Sequence, residues 1–360
     1  MLIYFLKRFF LIFPTLFFII LINFLIIQTA PGGPVERIIN QLNHQKISSE
    51  TFDNSATSSI LNLESSNNFK YQGAQGVDQE IITKIEKLYG FDLPIYERFW
   101  LMLKKFLVFD FGESFYQDKK VSELLIEKLP VSLSLGIFTT LIIYLVSIPL
   151  GIKKAVNDGN KFDMISSTVI IILYAIPAFL LAIFLLILFC GGNFLNIFPL
   201  RGLTSDNFIE LSFFSKITDY LWHLVLPVTA MVIGGFASPT FFCKNSFIEE
   251  INKNYVVTAY AKGLRQKQIL YRHILRNALL IVVANLPATL LLIFFTSSLL
   301  IEIIFSLDGL GLLGYEAILN RDYSVIFATL YLTSLIGLFS NIITDFCYFL
   351  IDPRINFSNN

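Results

Sequence analysis

The sequence predicts an all-α membrane protein of six spanning helices, with a long extracytoplasmic insertion after the first. Three observations carry that expectation. Of 360 residues, 55% are hydrophobic and 15% charged, against about 45–50% and about 25% in a soluble domain. Six stretches supply the roughly 20 apolar residues that a ~30 Å hydrocarbon core requires: Phe9–Ile27, Val131–Ile152, Ile165–Phe189, Trp222–Cys243, Ala278–Ile304 and Val325–Ile351. The formal net charge is zero, yet Lys and Arg are unevenly spread over the connections.

The first stretch follows Lys7-Arg8 and resembles a signal peptide, but its apolar run is too long and QTAPGG makes a poor cleavage site, so it reads as a retained anchor. With the N-terminus inside, the cytoplasmic side holds Lys7, Arg8, Lys153, Lys154, Lys161, seven basic residues between spans four and five, and Arg354. The short outer loops hold only Arg201, Lys216 and Arg321. Positive charge is enriched in cytoplasmic loops, so both termini are expected in the cytoplasm.

Residues 1–30 form the stub and first span, and residues 31–130 the extracytoplasmic segment. Within it, 44–78 is rich in Ser, Asn and Gln and reads as a weakly ordered insert. Ile81, Ile82, Ile85 and Leu88 make a helical stripe closed by Gly90. LPIYERFWLMLKKFLVFDFG then places Phe99, Met102, Leu103 and Phe106 on one side of a helix starting near Pro94. Its Trp and Lys suit a helix lying in the membrane interface, or equally one in a small packed subdomain. Residues 131–351 form a five-helix core with a cytoplasmic loop at 244–277, and 352–360 a tail. Gly234-Gly235 and Pro239 in span four, and Asn285 and Pro287 in span five, permit kinks that suit a moving pore or a plain bundle.

Enzyme chemistry is not indicated. The phosphate-binding GxxxxGK pattern, HExxH, GxSxG and GxGxxG are missing, and His44, His223 and His273 are far apart. Cys190, Cys243 and Cys347 form no cluster, so neither a metal nor a disulfide framework is expected. Among ionisable residues within the spans Asp345 stands out, read either as a carboxylate bonded to a neighbouring helix or as a gating group.

The stretch YVVTAYAKGLRQKQILYRHILRN, residues 255–277, carries Lys262, Arg265, Lys267, Arg272 and Arg276 and no acidic residue. Val256, Ala259, Tyr260 and Leu264 fall at helical spacing; Gly263 interrupts; Ile269, Leu270, Ile274 and Leu275 resume it. A glycine between two short amphipathic helices allows a tight bend. The charges alone fit a topology signal or attraction to anionic lipid. Nucleic-acid binding is not expected, because no aromatic platform accompanies them.

This stretch resembles the cytoplasmic loop, the EAA motif, of ABC-importer permeases of the dipeptide/oligopeptide family. The likeness runs through Thr258, Ala259, Ala261, Lys262, Gly263, Leu264, His273, Leu275, Arg276, Asn277 and Ala278, with Tyr260 where relatives usually have Arg and Ile281 where many have Pro. LIINFLIIQTAPGGPVE, FDFGESF, VSELLIEKLPVSLSLG, LIEIIFSLDGLGLLGYEAILNRDY (with Asp308 for the more usual Pro) and DFCYFLIDPRI resemble other parts of the family, the last making Asp345 a family feature. APGGPVERIINQL, the polar insert, YLVSIPLGIKKAV, FPLRGL and KITDYLWHLVLPV resemble one branch of it.

The resemblance implies a non-enzymatic permease of the bacterial inner membrane, half of a pore for peptides or peptide-like antibiotics. It implies a second related permease, ATPase subunits carrying the ATP and Mg, and a periplasmic peptide-binding protein. The ATPase contact would involve Tyr255, Thr258, Ala259, Ala261, Lys262, Gly263, Leu264, Arg272, His273, Arg276 and Asn277. Binding-protein docking would involve Arg201, Gly202, Asp308, Gly309, Gly311, Arg321 and Asp322. Asn285, Pro287 and Asp345 are gate or pore candidates. A gradient-driven peptide carrier or channel is the competing expectation; loss of function on neutralising Asp345 would mark it.

Overall fold

The computed structural model describes residues 2–29, 93–114, 116–117, 119–191, 194–284, 286 and 298–351. The insert 44–78, the helix expected at 81–90, Asn285, Pro287 and the tail 352–360 lie outside the described residues. Helices follow one another as α1 (Leu2–Thr29), α2 (Ile95–Leu107), α3 (Val121–Val156), α4 (Lys161–Ala175), α5 (Ala178–Cys190), α6 (Phe213–Gly235), α7 (Ala237–Ile251), α8 (Asn254–Ala261), α9 (Gln266–Ile269), α10 (Leu275–Ala284), α11 (Ser298–Ile304), α12 (Leu310–Leu319) and α13 (Tyr323–Ile351). A π-helical turn, Leu270–Ile274, joins α9 to α10. Among the described residues there is no strand, only an isolated bridge between Glu113 and Lys120. The chain divides into two units, Pro14–Gly112, and Glu113–Asn360 with Met1–Phe13.

The larger unit is organised by α3, whose 36 residues extend ~54 Å at 1.5 Å per residue. Leu135, Thr139, Ile143, Ser147 and Gly151 recur every four residues and are all buried, the ridge that an inward-facing helix presents to its neighbours. At Gly151 there is no room for a side chain: a Cβ would stand 2.7 Å from Cys243 Cβ and 2.9 Å from the Thr240 carbonyl oxygen. The missing side chain lets α7 close on α3, the use of small residues between membrane helices. One core gathers Leu135, Ile143, Ile170, Ala182, Leu224 and Met231; a second gathers Ile152, Cys243 and Phe247 with Val256, Ala259, Ile269 and Ile274 from the basic loop.

Four described helices are long and apolar enough to cross a membrane, or five if α4 and α5 make one crossing. Three expected spans need correction. The second, expected from Val131, lies in a helix that starts ten residues earlier, at Val121. The third, Ile165–Phe189, is not one straight helix: it breaks at Ile176-Pro177, and α4 and α5 meet at 89°. Proline lacks the N–H that would continue the ladder and pushes the preceding residue out of the helical region; Ile176 sits at φ −82°, ψ 117°. The fourth starts nine residues before Trp222, at Phe213, where Ser212 Oγ accepts from the Ser215 N–H at 3.4 Å. It breaks after Gly235, where a Cβ would lie 2.6 Å from Ile143 Cδ1. The Phe236 carbonyl at the break accepts from Ser147 Oγ at 3.0 Å and Thr240 Oγ1 at 2.7 Å. Pro239 falls in the first turn of α7, where its missing N–H costs nothing.

In the smaller unit α2 packs on α1 through Phe99, whose ring meets Phe17 and Phe24 edge-on at 5.5 Å each. The span in α1 ends at Ile26. At 1.5 Å per residue Phe17 and Phe24 lie about 14 and about 3 Å below that end, so Phe99 is held at hydrocarbon depth. Leu103 and Phe106 are buried, while Tyr96 and Trp100 are more than half exposed. In lipid vesicles, the emission of Trp100 in a Trp222→Phe background is therefore expected to be quenched strongly by lipids brominated along the acyl chain. Unquenched emission would place α2 in a protein-covered subdomain instead.

Candidate functional site

The basic loop is built from the last turn of α7 to the first turn of α10. α8 buries Val256 and Ala259 against Phe247, Ile269 and Ile274. Its opposite face presents Val257, Thr258, Tyr260, Ala261 and Lys262 to the outside. The helix ends in a Schellman turn: Gly263 N–H donates to the Tyr260 carbonyl at 2.9 Å and Leu264 N–H to that of Ala259 at 3.3 Å. That turn needs a left-handed residue, and Gly263 supplies it at φ +79°. α9 restarts at once, with the Arg265 N–H capped by Gln268 Oε1 at 3.1 Å. The π turn then carries Tyr271, Arg272 and His273. π turns are uncommon and recur at functional sites.

Of the residues expected to meet an ATPase, Thr258, Ala261, Lys262, Gly263, Arg272 and Arg276 are exposed, and Leu264 and His273 partly so. Three need correction. Ala259 is buried on the underside, and Tyr255 and Asn277 turn inward to the Glu250 carboxylate. Tyr255 Oη donates to Glu250 Oε2 at 2.7 Å, Asn277 Nδ2 reaches the same oxygen at 3.5 Å, and Lys253 Nζ pairs with Oε1. Burial works against the Glu250 charge, but the bonds from Lys253 and Tyr255 prevail and hold its carboxyl below the usual range. Burial and the bond to Glu250 push the Tyr255 phenol up to about 12.

A second polar cluster was missed by the sequence reading, which counted its lysines only toward orientation. Lys154 is fully buried; its Nζ lies 3.0 Å from Asp163 Oδ1 and donates to Ser166 Oγ at 2.8 Å and Ser167 Oγ at 2.6 Å. Lys244 Nζ bridges Asp163 Oδ2 at 2.7 Å and Asp158 Oδ1 at 2.8 Å. The cluster ties the end of α3 to the start of α4 and the middle of α7. One signal pointed to it: Lys154 continues the buried stripe of α3 three residues after Gly151.

At the other end of α3, Glu302 is fully buried. It accepts from Ser132 Oγ at 3.2 Å and the Leu312 N–H at 2.7 Å, while Ser132 Oγ accepts from the Leu310 N–H at 2.8 Å. Lys128 pairs with Asp308. Among the docking candidates Arg201, Asp308 and Arg321 are exposed, and Gly202 and Gly311 partly so. Gly309 and Asp322 are not available for docking. A Cβ on Gly309 would stand 2.4 Å from Glu302 Oε1. Asp322 is buried, accepts from Ser114 Oγ at 2.6 Å and caps α13 through the Val325 N–H at 3.4 Å. Asp345, also buried, lies 3.0 Å from Arg8 Nε.

A helical bundle with broken spans, polar ties at both ends and a basic helix–glycine–helix loop fits a membrane transport component. The chain belongs to the family described as "Binding-protein-dependent transport system inner membrane component", which matches residues 147–357, and it is accordingly a multi-pass protein of the inner membrane. It is 52% identical over 369 residues to "Inner membrane ABC transporter permease protein YejB" of Escherichia coli O157:H7, covering 98% of both chains. It is 51% identical over 358 residues to "Peptidoglycan transport system permease protein YejB" of Agrobacterium fabrum, again covering 98% of both. Identity to the oligopeptide permease OppB of Haemophilus influenzae is 28% over 346 residues, covering 96% of each. The branch resembled by APGGPVERIINQL and FPLRGL is thus the YejB one.

Proposed function

We propose that the chain is half of the pore of an ATP-driven importer for peptides, including peptide-bearing fragments, with both termini in the cytoplasm. In this reading a second related permease completes the pore, a periplasmic binding protein delivers the substrate, and ATPase subunits hold the ATP and Mg. The observation that carries it is α8: an apolar underside seated on the ends of the spans, and an exposed upper face with Gly263 at its tip. The names of the relatives support the substrate class. When the ATPases close, α8 would be displaced, and the spans would change access because the two states bind the partners differently. A gradient-driven carrier finds no support in Asp345, the group it would use, since Arg8 occupies it. Mild-detergent purification of the chain from native membranes, with mass spectrometry of what accompanies it, tests the proposal. Recovery of an ATPase and a second permease is expected; recovery of the chain alone with intact flux would overturn it.

A further inference from the structure

We infer that Glu250 is a positioning residue for coupling: its carboxylate fastens α8 to both α7 and α10, so that a displacement of α8 moves the spans on either side together. The inference rests on α8 being the helix that the ATPase displaces.

Three elements meet at this one side chain. Glu250 stands in the last turn of α7, Tyr255 in the first turn of α8, and Asn277 in the first turn of α10. Tyr255 and Asn277 reach the same oxygen, Oε2, while Lys253 holds the other. The rest of the seat of α8 is apolar: Val256, Ala259, Phe247, Ile269 and Ile274. Apolar contact is non-directional and lets a helix slide or roll. Hydrogen bonds to a charged group are short, directional and roughly twice as strong as neutral ones. Burying a carboxylate carries a desolvation cost that an apolar residue here would avoid. A carboxylate at the junction of three helices gives direction to a contact that packing alone leaves loose. Tyr255 and Asn277, turned away from the outer face, are then the two arms of this brace.

The test uses the complete transporter in proteoliposomes with its binding protein and a labelled peptide, comparing wild type with Glu250→Ala, Glu250→Gln and Tyr255→Phe. Uptake and ATP hydrolysis are measured together, giving peptide imported per ATP, and amide hydrogen exchange is followed across 254–264. Glu250→Ala is expected to lower peptide per ATP by about 10-fold, within the usual range of coupling free energies, and to speed exchange in α8. Glu250→Gln, which still accepts from Tyr255, restores most of the ratio, and Tyr255→Phe falls between. A purely structural residue would lower uptake and hydrolysis in proportion, leaving the ratio unchanged; that result, or unchanged exchange, overturns the inference. Should Glu250→Ala not assemble, Tyr255→Phe, which deletes one hydroxyl, carries the same test. If wild type itself shows no ATP-dependent uptake, the importer reading falls, whereas exchange in α8 still reports whether Glu250 holds it.

Discussion

Replacing Gly263 by glutamate is expected to reduce ATP-driven uptake by roughly 100-fold, the upper end of what a lost coupling of ~3 kcal/mol gives, while the chain still accumulates in the membrane. Two effects add. A left-handed residue with a Cβ is strained by about 1–2 kcal/mol, and Gly263 sits at φ +79°. Within the chain a Cβ at this position would meet nothing within 4 Å, so a glutamate side chain would project from the tip of α8 into the space a partner must occupy, bringing a negative charge to a basic rim. Gly263→Asn separates the effects, because asparagine tolerates the left-handed region. It should keep the turn and lose less activity. Uptake of labelled peptide, normalised to the amount of chain in the membrane, checks both; full transport by Gly263→Glu would sink the assignment of this tip as a contact.

Asp163→Ala is expected to destabilise the protein by about 3–5 kcal/mol, the usual result of stranding a buried charge. Lys154 is wholly buried and would keep as hydrogen-bond partners the two serine hydroxyls and the backbone oxygen of residue 163, none of them charged. Lys244 would retain Asp158, which is half exposed. Because charge imbalance rather than lost contact causes the damage, the double variant Lys154→Met, Asp163→Leu should recover much of the loss. Thermal unfolding of purified protein in one detergent compares the three. An unchanged melting temperature in Asp163→Ala would mean that water reaches the cluster.

Much of this architecture was legible because membrane burial writes itself as long apolar runs and because the loop's helical stripe is interrupted by one glycine. Val256, Ala259, Ile269 and Ile274 are buried as their spacing indicated, whereas Tyr260, read onto the same packing face, is exposed because it lies on the outer side of α8. The bend at Pro177 was missed because hydropathy continues unbroken across it, while the backbone rule that ends α4 there acts through a single residue. The buried lysine was missed for a related reason: a count of cations says where a loop lies, not which way each side chain points. Helix phase does say so, and it places Lys154 with Gly151 on the face toward α7. The inward turn of Tyr255 and Asn277 depends on a partner, Glu250, five residues before one and 27 before the other, a pairing no local pattern encodes.

The contact between Arg8 and Asp345 has a topological consequence. Arg8 lies near the first end of α1 and Asp345 near the last end of α13, and their side chains meet at 3.0 Å. The first and last helices therefore bring these two ends together at one end of the bundle. The ties along α3 place the ends of two further helices. α10 begins beside the end of α7, at the face where Lys154 closes α3, and α11 finishes beside Ser132, at the opposite face.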